Sequence, residues 1–215
     1  MGNINRPKLN TEDIELMRKI GEHNFVDMIY IYKFYKTDCK KRTVNERITQ
    51  LAKHRYLSII ETFIPPEYTV KKMKGYKIVS LGAKGVEIMK DLGAEVETNL
   101  KALKNASSYR MYHQCQVAMV CDSLDYEFKN SESKFEVAEI YNEKEGFIKG
   151  TGNMPDAVIL FRPKAEYLMS PKERYIVVFI EIERSYASLK RFKSKIRSYE
   201  KQEPAYRIML GTPVA

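Results

Sequence analysis

Apolar positions in the first 94 residues recur mainly at spacings of three and four, which predict helices. The predicted helices cover residues 11–22, 26–35 and 44–54, and a fourth begins at Gly82. Between the last two, the runs 56–64 and 76–81 flank a loop with Pro65, Pro66 and Gly75, which predicts a β-hairpin. The order helix, helix, helix, hairpin, helix is typical of a winged helix-turn-helix.

The pattern changes in the remainder of the chain, where helices and apolar strands are mixed. A long helix is predicted at 109–129, with His113, Val117, Val120, Cys121, Leu124 and Phe128 on one stripe. Strands at 135–141, 157–161, 175–183 and 206–210 accompany a basic helix at 186–201, whose lysines and arginines are expected to point outward. The predicted fold class is therefore α+β, with a winged helix-turn-helix at residues 1–94 and a small α/β domain at 95–215.

Two of the predicted helices begin at recognisable capping sequences. Asn10 precedes Thr11-Glu12-Asp13, so we expect a helix that begins there with acidic residues in its first turn. Thr43-Val44-Asn45-Glu46 matches the capping box, which places Thr43 at the N-cap of the third helix.

The distribution of charge along the chain makes this globular protein a candidate for binding a polyanion. The 215 residues carry a formal net charge of +9, and 44% of them are hydrophobic, which is typical of a globular protein. The first 80 residues hold 16 Lys and Arg against 9 Asp and Glu, whereas the rest hold 21 against 19. This concentration favours contact of the first domain with a polyanion. An ordinary solvated basic surface is the alternative.

Other features bear on the compartment. No apolar run approaches the ~20 residues of a membrane span, and the first ten residues lack the apolar segment of a signal peptide. Three scattered cysteines, Cys39, Cys115 and Cys121, form no even framework and no metal-ligand spacing. We expect a cytoplasmic protein that contacts no membrane and has no structural zinc.

The third helix has the composition of a DNA recognition helix. Val44, Ile48 and Leu51 form a narrow apolar face, and the remaining surface is rich in amides, hydroxyls and cations. Amides and cations of this kind pair with base edges and phosphates. The candidate DNA-binding residues of the helix, of the cluster before it and of the hairpin loop are Lys40, Lys41, Arg42, Asn45, Arg47, Thr49, Gln50, Lys53, Lys71, Lys72 and Lys74.

Short motifs spread along most of the chain carry a family resemblance. They are Thr11–Ile14, Asn45–Leu51, Tyr76–Gly85, Tyr112-His113, Pro155–Leu160 and Phe179–Arg184, followed by a Lys/Arg-rich helix that ends in Tyr199. In these motifs the chain resembles the plasmid replication-relaxation family, which includes accessory proteins of plasmid mobilisation and replication. The resemblance implies a winged helix fused to a domain similar to PD-(D/E)xK nucleases.

A nuclease of this kind needs an Asp and a Glu that hold Mg²⁺, and a Lys that orients the attacking water. Asp156 stands at the start of one predicted strand, and Glu181 and Glu183 share a face of the next. Glu183 occupies the position of the motif lysine, so we expect no catalysis unless Lys190 replaces it. We favour the alternative that Asp156 caps a turn and that the glutamates pair with Arg184, Arg191 or Lys195. For His113, packing on the apolar stripe is favoured over a role as a base.

Three functions follow from these observations. The first is a sequence-specific double-stranded DNA-binding protein of a plasmid or other mobile element, which acts as a homodimer at an origin of replication or transfer, or at an operator. The second is a metal-dependent nuclease, in which Asp156, Glu181 and Glu183 bind Mg²⁺; no cofactor is expected otherwise. The third is an adaptor whose second domain docks a relaxase or replication protein, which is compatible with the first.

Overall fold

A computed structural model describes residues 7–62, 75–94, 96, 106–142, 155–167, 176–182, 189–200 and 206–211. The fold is mixed α+β, as predicted. The chain divides into two compact units, Met1–Cys115 and Gln116–Ala215, each built around its own sheet.

In its described residues, the first unit combines four helices before residue 95 with a three-stranded antiparallel sheet. Its elements are α1 (Thr11–His23), β1 (Phe25–Asp27), α2 (Met28–Phe34), α3 (Lys41–Lys53), β2 (Leu57–Thr62), β3 (Tyr76–Leu81) and α4 (Ala83–Asp91). The sheet has the order β1-β3-β2, and Leu57 faces Leu81 across the β2–β3 pair, so the predicted antiparallel strand pairing is confirmed. The capping signal at Asn10 is also confirmed, because Asn10 and Asp13 form a reciprocal capping box.

Two local predictions in this unit are wrong. The run 26–35 is not one helix, because Phe25–Asp27 pair with β3 and α2 begins only at Met28. The Asp27 carboxylate causes the break by accepting a hydrogen bond from the Tyr30 backbone N–H at 2.7 Å. The third helix starts at Lys41, so Thr43 lies within its first turn and is not the N-cap.

The junction between β3 and α4 depends on two glycines that lie against backbone. The N–H groups of Gly82 and Lys84 donate to the carbonyls of Tyr56 and Arg55 at 2.9 and 3.0 Å. A Cβ atom added to Gly85 would lie 2.1 Å from the Tyr56 carbonyl oxygen. Only glycine allows α4 to approach the backbone of Tyr56, the residue before β2, this closely.

The helix α5 (Ser108–Asn130) contains the division between the two units. Met111 and Cys115 near its start pack in a cluster with Phe25, Tyr76 and Ile78 of the first unit. The compact units therefore divide between residues 115 and 116 instead of at the expected boundary near residue 95.

Where the structure describes it, the second unit has a mixed four-stranded sheet with an α-helix packed on each face. After α5 it contains β4 (Phe135–Asn142), β5 (Ala157–Pro163), β6 (Ile176–Ile182), α6 (Leu189–Glu200) and β7 (Tyr206–Gly211). The strand order is β4-β5-β6-β7, antiparallel except for the parallel β6–β7 pair. Ile159 and Ile180 face α5, whereas Val158 and Phe179 face Tyr199 of α6. Strand alternation therefore gives each helix its own apolar surface.

The predicted apolar stripe of α5 is confirmed for its second half. Val117, Val120, Cys121, Leu124 and Phe128 all pack in the cluster that includes Ile159 and Ile180. His113 lies half-buried in the part of α5 that belongs to the first unit.

All three cysteines are free thiols, with Cys39 exposed and Cys115 and Cys121 buried. Within the described segments, no helix has the length and apolar character that crossing a membrane requires.

Candidate nucleic-acid interface

Helix α3 separates its apolar and polar residues onto opposite faces. Val44, Ile48 and Leu51 are at most 2% exposed and anchor the helix in the first unit. The opposite face forms one shallow open surface, hereafter the α3 face, lined by Arg42, Asn45, Glu46, Thr49, Gln50 and Lys53. All six side chains of the α3 face are exposed. Since their spacing is three or four residues, they form a stripe that runs the length of the helix.

The N-terminal end of the α3 face is positive. Lys40 is the N-cap residue, and its side chain makes no cap hydrogen bond with the first turn of α3. Lys41 and Arg42 follow in the first turn, and the Lys41 ammonium lies 5.1 Å from the centre of the Tyr32 ring. Cations beside an uncapped helix N-terminus create a local potential that attracts anions.

Arg47 was expected among the exposed DNA-binding residues, but its guanidinium is held by the protein. It forms two hydrogen bonds with the buried Asp13 carboxylate and donates to the Lys8 carbonyl oxygen at 2.8 Å. Only 19% of the Arg47 side chain is exposed, and none of the Asp13 side chain is. Helical periodicity places Arg47 at the edge of the polar face but does not reveal this distant partner.

The Asp13 carboxylate is the centre of a network that joins α1, α3 and Tyr35, the C-cap residue of α2. Besides Arg47 of α3, it accepts hydrogen bonds from the Tyr35 hydroxyl at 2.6 Å and from the Asn10 N–H at 2.9 Å. Burial raises the pKa of Asp13, but Arg47 and the hydrogen bonds from Tyr35 and Asn10 outweigh it and lower that pKa. Burial and the Asp13 charge together raise the pKa of the Tyr35 hydroxyl, which remains a proton donor. The network fixes the angle of α3 on α1.

Two amides of the α3 face are oriented by neighbouring side chains. The Tyr32 hydroxyl of α2 donates to Asn45 Oδ1 at 2.7 Å, and the Arg47 guanidinium donates to Gln50 Oε1 at 2.7 Å. Both amide nitrogens can then donate outward. Preorganised donors of this kind suit the acceptor atoms of base edges in a major groove.

Glu46 is a residue of the α3 face that the sequence reasoning did not assign to it. Its carboxylate pairs with Arg42 Nε at 2.9 Å, one turn earlier in the helix. Since the two side chains are 63% and 90% exposed, solvent screens the pair and Arg42 can exchange Glu46 for another anion. The i, i+4 spacing of Arg42 and Glu46 is the sequence signal from which this ion pair could have been predicted.

The candidate residues of the hairpin loop lie outside the described residues. They are Lys71, Lys72 and Lys74. The candidate interface in the described part of the chain is therefore α3 and the residue that precedes it.

The second unit contains a carboxylate cluster at the sheet surface beneath α6. Glu181 is 4% exposed, and its two oxygens accept hydrogen bonds from Lys195 Nζ at 2.7 Å and from the Tyr199 hydroxyl at 2.6 Å. Asp156 Oδ2 accepts from the Ile182 N–H at 2.6 Å. Burial and the nearby Glu181 and Asp156 charges raise the pKa of Tyr199, which keeps its proton.

Two lysines of α6 were expected to point outward, and they lie in different surroundings. The helical pattern predicted that Lys195 points outward, whereas the favoured alternative to a metal site paired it with the glutamates. Its contact with the buried Glu181 confirms the pairing, because Glu181 lies on the sheet face that α6 covers. Lys190, considered as a replacement for the motif lysine, is exposed. Glu183 lies outside the described residues, so the third carboxylate of the expected set is not placed.

The described side chains do not fit a resident Mg²⁺. Both oxygens of Glu181 already accept hydrogen bonds from a lysine and a tyrosine, and one oxygen of Asp156 accepts from backbone. In the part of the chain that the structure describes, no three His, Cys, Asp or Glu side chains are grouped so as to hold a metal. The contacts are those of a satisfied buried ion pair.

Comparison of the chain with protein-family models, with curated proteins and with solved structures gives no match. The functional argument therefore rests on the residues of the chain and their contacts.

Proposed function

We propose that this protein binds double-stranded DNA sequence-specifically and inserts α3 into a major groove. The observation that carries the proposal is the α3 face, an exposed stripe of amides, a hydroxyl and cations on a helix whose other side is buried. Recognition helices need this division, because one side must hold the helix in its domain while the other meets base edges.

Charge and orientation support the same proposal. Residues 40–53 carry five Lys and Arg against one acidic residue, Glu46. The positive N-terminal turn of α3 suits a phosphate, while Asn45, Thr49 and Gln50 further along the helix suit base edges. The ion pair between Arg47 and Asp13 keeps the helix at one angle, so little conformational entropy is lost on binding.

The arrangement around α3 supports a winged helix-turn-helix. Three helices precede the β2–β3 pair, and the short β1 completes the sheet on the far side of β3. The 63–74 segment that joins β2 to β3 would be the wing, and its lysines would contact flanking phosphates. We further propose homodimerisation, so that two α3 helices meet half-sites related by two-fold symmetry.

The biological setting that we propose follows from the family resemblance. An accessory protein of plasmid replication or mobilisation would bind an origin of replication or transfer, or an operator. Selection of bound fragments from a library of the source genome identifies the site, and its position separates an origin from an operator. The absence of any enriched fragment would contradict sequence-specific recognition.

Variants of the α3 face test which residues are responsible. Arg42→Glu should weaken binding to every duplex, whereas the same reversal at Lys90, an exposed lysine of α4, should not. Gln50→Ala should reduce the preference for the selected site by about 1–3 kcal/mol, which is the discrimination of one good base contact. Fluorescence anisotropy at fixed salt measures both effects. Equal behaviour of the Arg42 and Lys90 variants would refute the proposed orientation.

Metal-dependent cleavage is the second candidate function. One contact favours it, because the hydrogen bond from Lys195 to Glu181 places a lysine beside the carboxylates Glu181 and Asp156. The hydrogen bonds already made by these carboxylates oppose metal binding, and we propose that the cluster stabilises the second unit. An assay of supercoiled DNA with Mg²⁺ or Mn²⁺ decides between the two. Nicking that both Asp156→Ala and Glu181→Ala abolish would establish the nuclease.

A further inference from the structure

We infer that α6 carries a second DNA-binding surface, which contacts the phosphate backbone and reads no bases. Lys190, Lys193 and Arg197 are exposed and lie at i, i+3 and i+7, so they form one stripe, hereafter the α6 stripe. In the described part of the chain, none of the three makes an ion pair. The inference rests on the proposed DNA-binding function and adds a contact from the second unit.

The opposite side of α6 is anchored, which gives the α6 stripe a fixed direction. Tyr199 stacks on Phe179 of the sheet with ring centres 5.1 Å apart, and Lys195 and Tyr199 both bind the buried Glu181. Lys195 is thereby paired with a buried carboxylate, whereas Lys190, Lys193 and Arg197 are exposed at the surface. In this respect α6 differs from a helix that is basic on all sides, because one of its cations has an internal partner while those of the α6 stripe face solvent.

Charge and spacing favour duplex DNA as the occupant. The only acidic residue of α6 is Glu200 at its C-terminal end. A rise of about 1.5 Å per residue separates Lys190 from Arg197 by about 10 Å along the helix axis. Phosphates of one DNA strand advance about 3.4 Å per nucleotide along the duplex axis, so three phosphates lie within this length. The α6 stripe lacks the amides of the α3 face, so we assign it to sequence-independent contact.

Salt titration of binding provides a quantitative test. The substitutions Lys190→Gln, Lys193→Gln and Arg197→Gln are combined in one full-length variant, since Gln preserves helix propensity. Three lost phosphate contacts should reduce the slope of log K against log salt by about 2.7. The affinity advantage of the wild type on a random-sequence duplex of about four helical turns should therefore shrink about 40-fold between about 50 and about 200 mM salt.

A matched control removes the same charge elsewhere. Lys90→Gln, Lys129→Gln and Lys134→Gln, combined, also change the net charge by three at exposed positions but lie outside the α6 stripe. The control should keep nearly the wild-type slope, and circular dichroism should show equal helix content in both variants. Equal slopes for the two triple variants would overturn the inference and leave the α3 proposal standing.

The remaining outcomes separate the inference from the proposed function. If Arg42→Glu has no effect while the α6 variant loses affinity, the α6 surface stands and the role of α3 fails. If the wild type binds no duplex, both fail. Poly-glutamate is tested in parallel, and loss of its binding with unchanged duplex binding would overturn DNA as the occupant in favour of an acidic protein.

Discussion

Substitution of Arg47 by Met should destabilise the first unit by about 3 kcal/mol at neutral pH. Arg47 supplies two of the four hydrogen bonds to the fully buried Asp13 carboxylate, and the Tyr35 and Asn10 groups supply the others. Removal of one partner from a buried ion pair costs about 3–5 kcal/mol, because the remaining charge is left uncompensated. The lower end applies here, because 19% of Arg47 is exposed and two hydrogen bonds to Asp13 remain.

The pH dependence of this cost tests its electrostatic origin. In the wild type the pKa of Asp13 lies below 3.8, so its ion pair contributes stability above that pH and the contribution is lost as the pH falls through the lowered pKa. In Arg47→Met, the hydrogen bonds from Tyr35 and Asn10 alone oppose the effect of burial, so the pKa of Asp13 is higher than in the wild type and protonation relieves the variant. The difference in stability should therefore shrink as the pH falls from about 7 to about 4.

Urea unfolding followed by circular dichroism measures the stability, since the chain has no tryptophan. Hydrogen exchange of peptides from α1 and α3 assigns the loss to the first unit. Tyr35→Phe, which removes one hydrogen bond to the same carboxylate, should cost about 1.5–3 kcal/mol. The double variant Asp13→Asn/Arg47→Met should be less destabilised than the sum of the single variants. A cost below about 1 kcal/mol for Arg47→Met, or a cost independent of pH, would refute the reasoning.

Two further predictions concern packing and thiol reactivity. Gly85→Ala should destabilise the first unit by about 1–3 kcal/mol, because its Cβ would meet a backbone carbonyl oxygen at 2.1 Å. In the same urea assay, Gly21→Ala should cost less, because its Cβ meets a movable valine side chain. Stabilisation by Gly85→Ala would contradict the close approach. In the native protein, iodoacetamide should modify the exposed Cys39 and spare the buried Cys115, whose pKa is raised by burial. Mass spectrometry identifies the alkylated sites. Rapid alkylation of native Cys115 would show that the apolar cluster around it opens.

Local sequence was sufficient for most of the secondary structure. Periodicity predicted a helix at 44–54 where α3 spans Lys41–Lys53, and a helix at 109–129 where α5 spans Ser108–Asn130. It also predicted the antiparallel pairing of the strands on either side of residues 65–75. The error at residues 26–35 arose because an apolar run has no period that separates a buried strand from a buried helix. The Asp27 cap and the pairing of Phe25–Asp27 with β3 determine that this part of the chain begins as a strand and continues as a helix.

Tertiary contacts decided which Lys and Arg side chains remain exposed and available to bind a ligand. The helical repeat indicated Arg47 and Lys195 as outward cations, although for Lys195 the residue types also allowed a pairing with the glutamates. Their partners, Asp13 and Glu181, lie 34 and 14 residues away in the chain. A helical repeat describes one element and carries no information on a carboxylate delivered by another.

The sequence by itself determined the elements, the apolar stripes and the concentration of positive charge in the first 80 residues, because these depend on local propensity and composition. Only the tertiary structure decided which charges are buried and paired and which stand in solvent. Burial of Asp13 and Glu181 recruits one cation each, since an unpaired charge inside the protein is costly. The cations left at the surface, on the α3 face and the α6 stripe, are those on which the proposed binding of DNA depends.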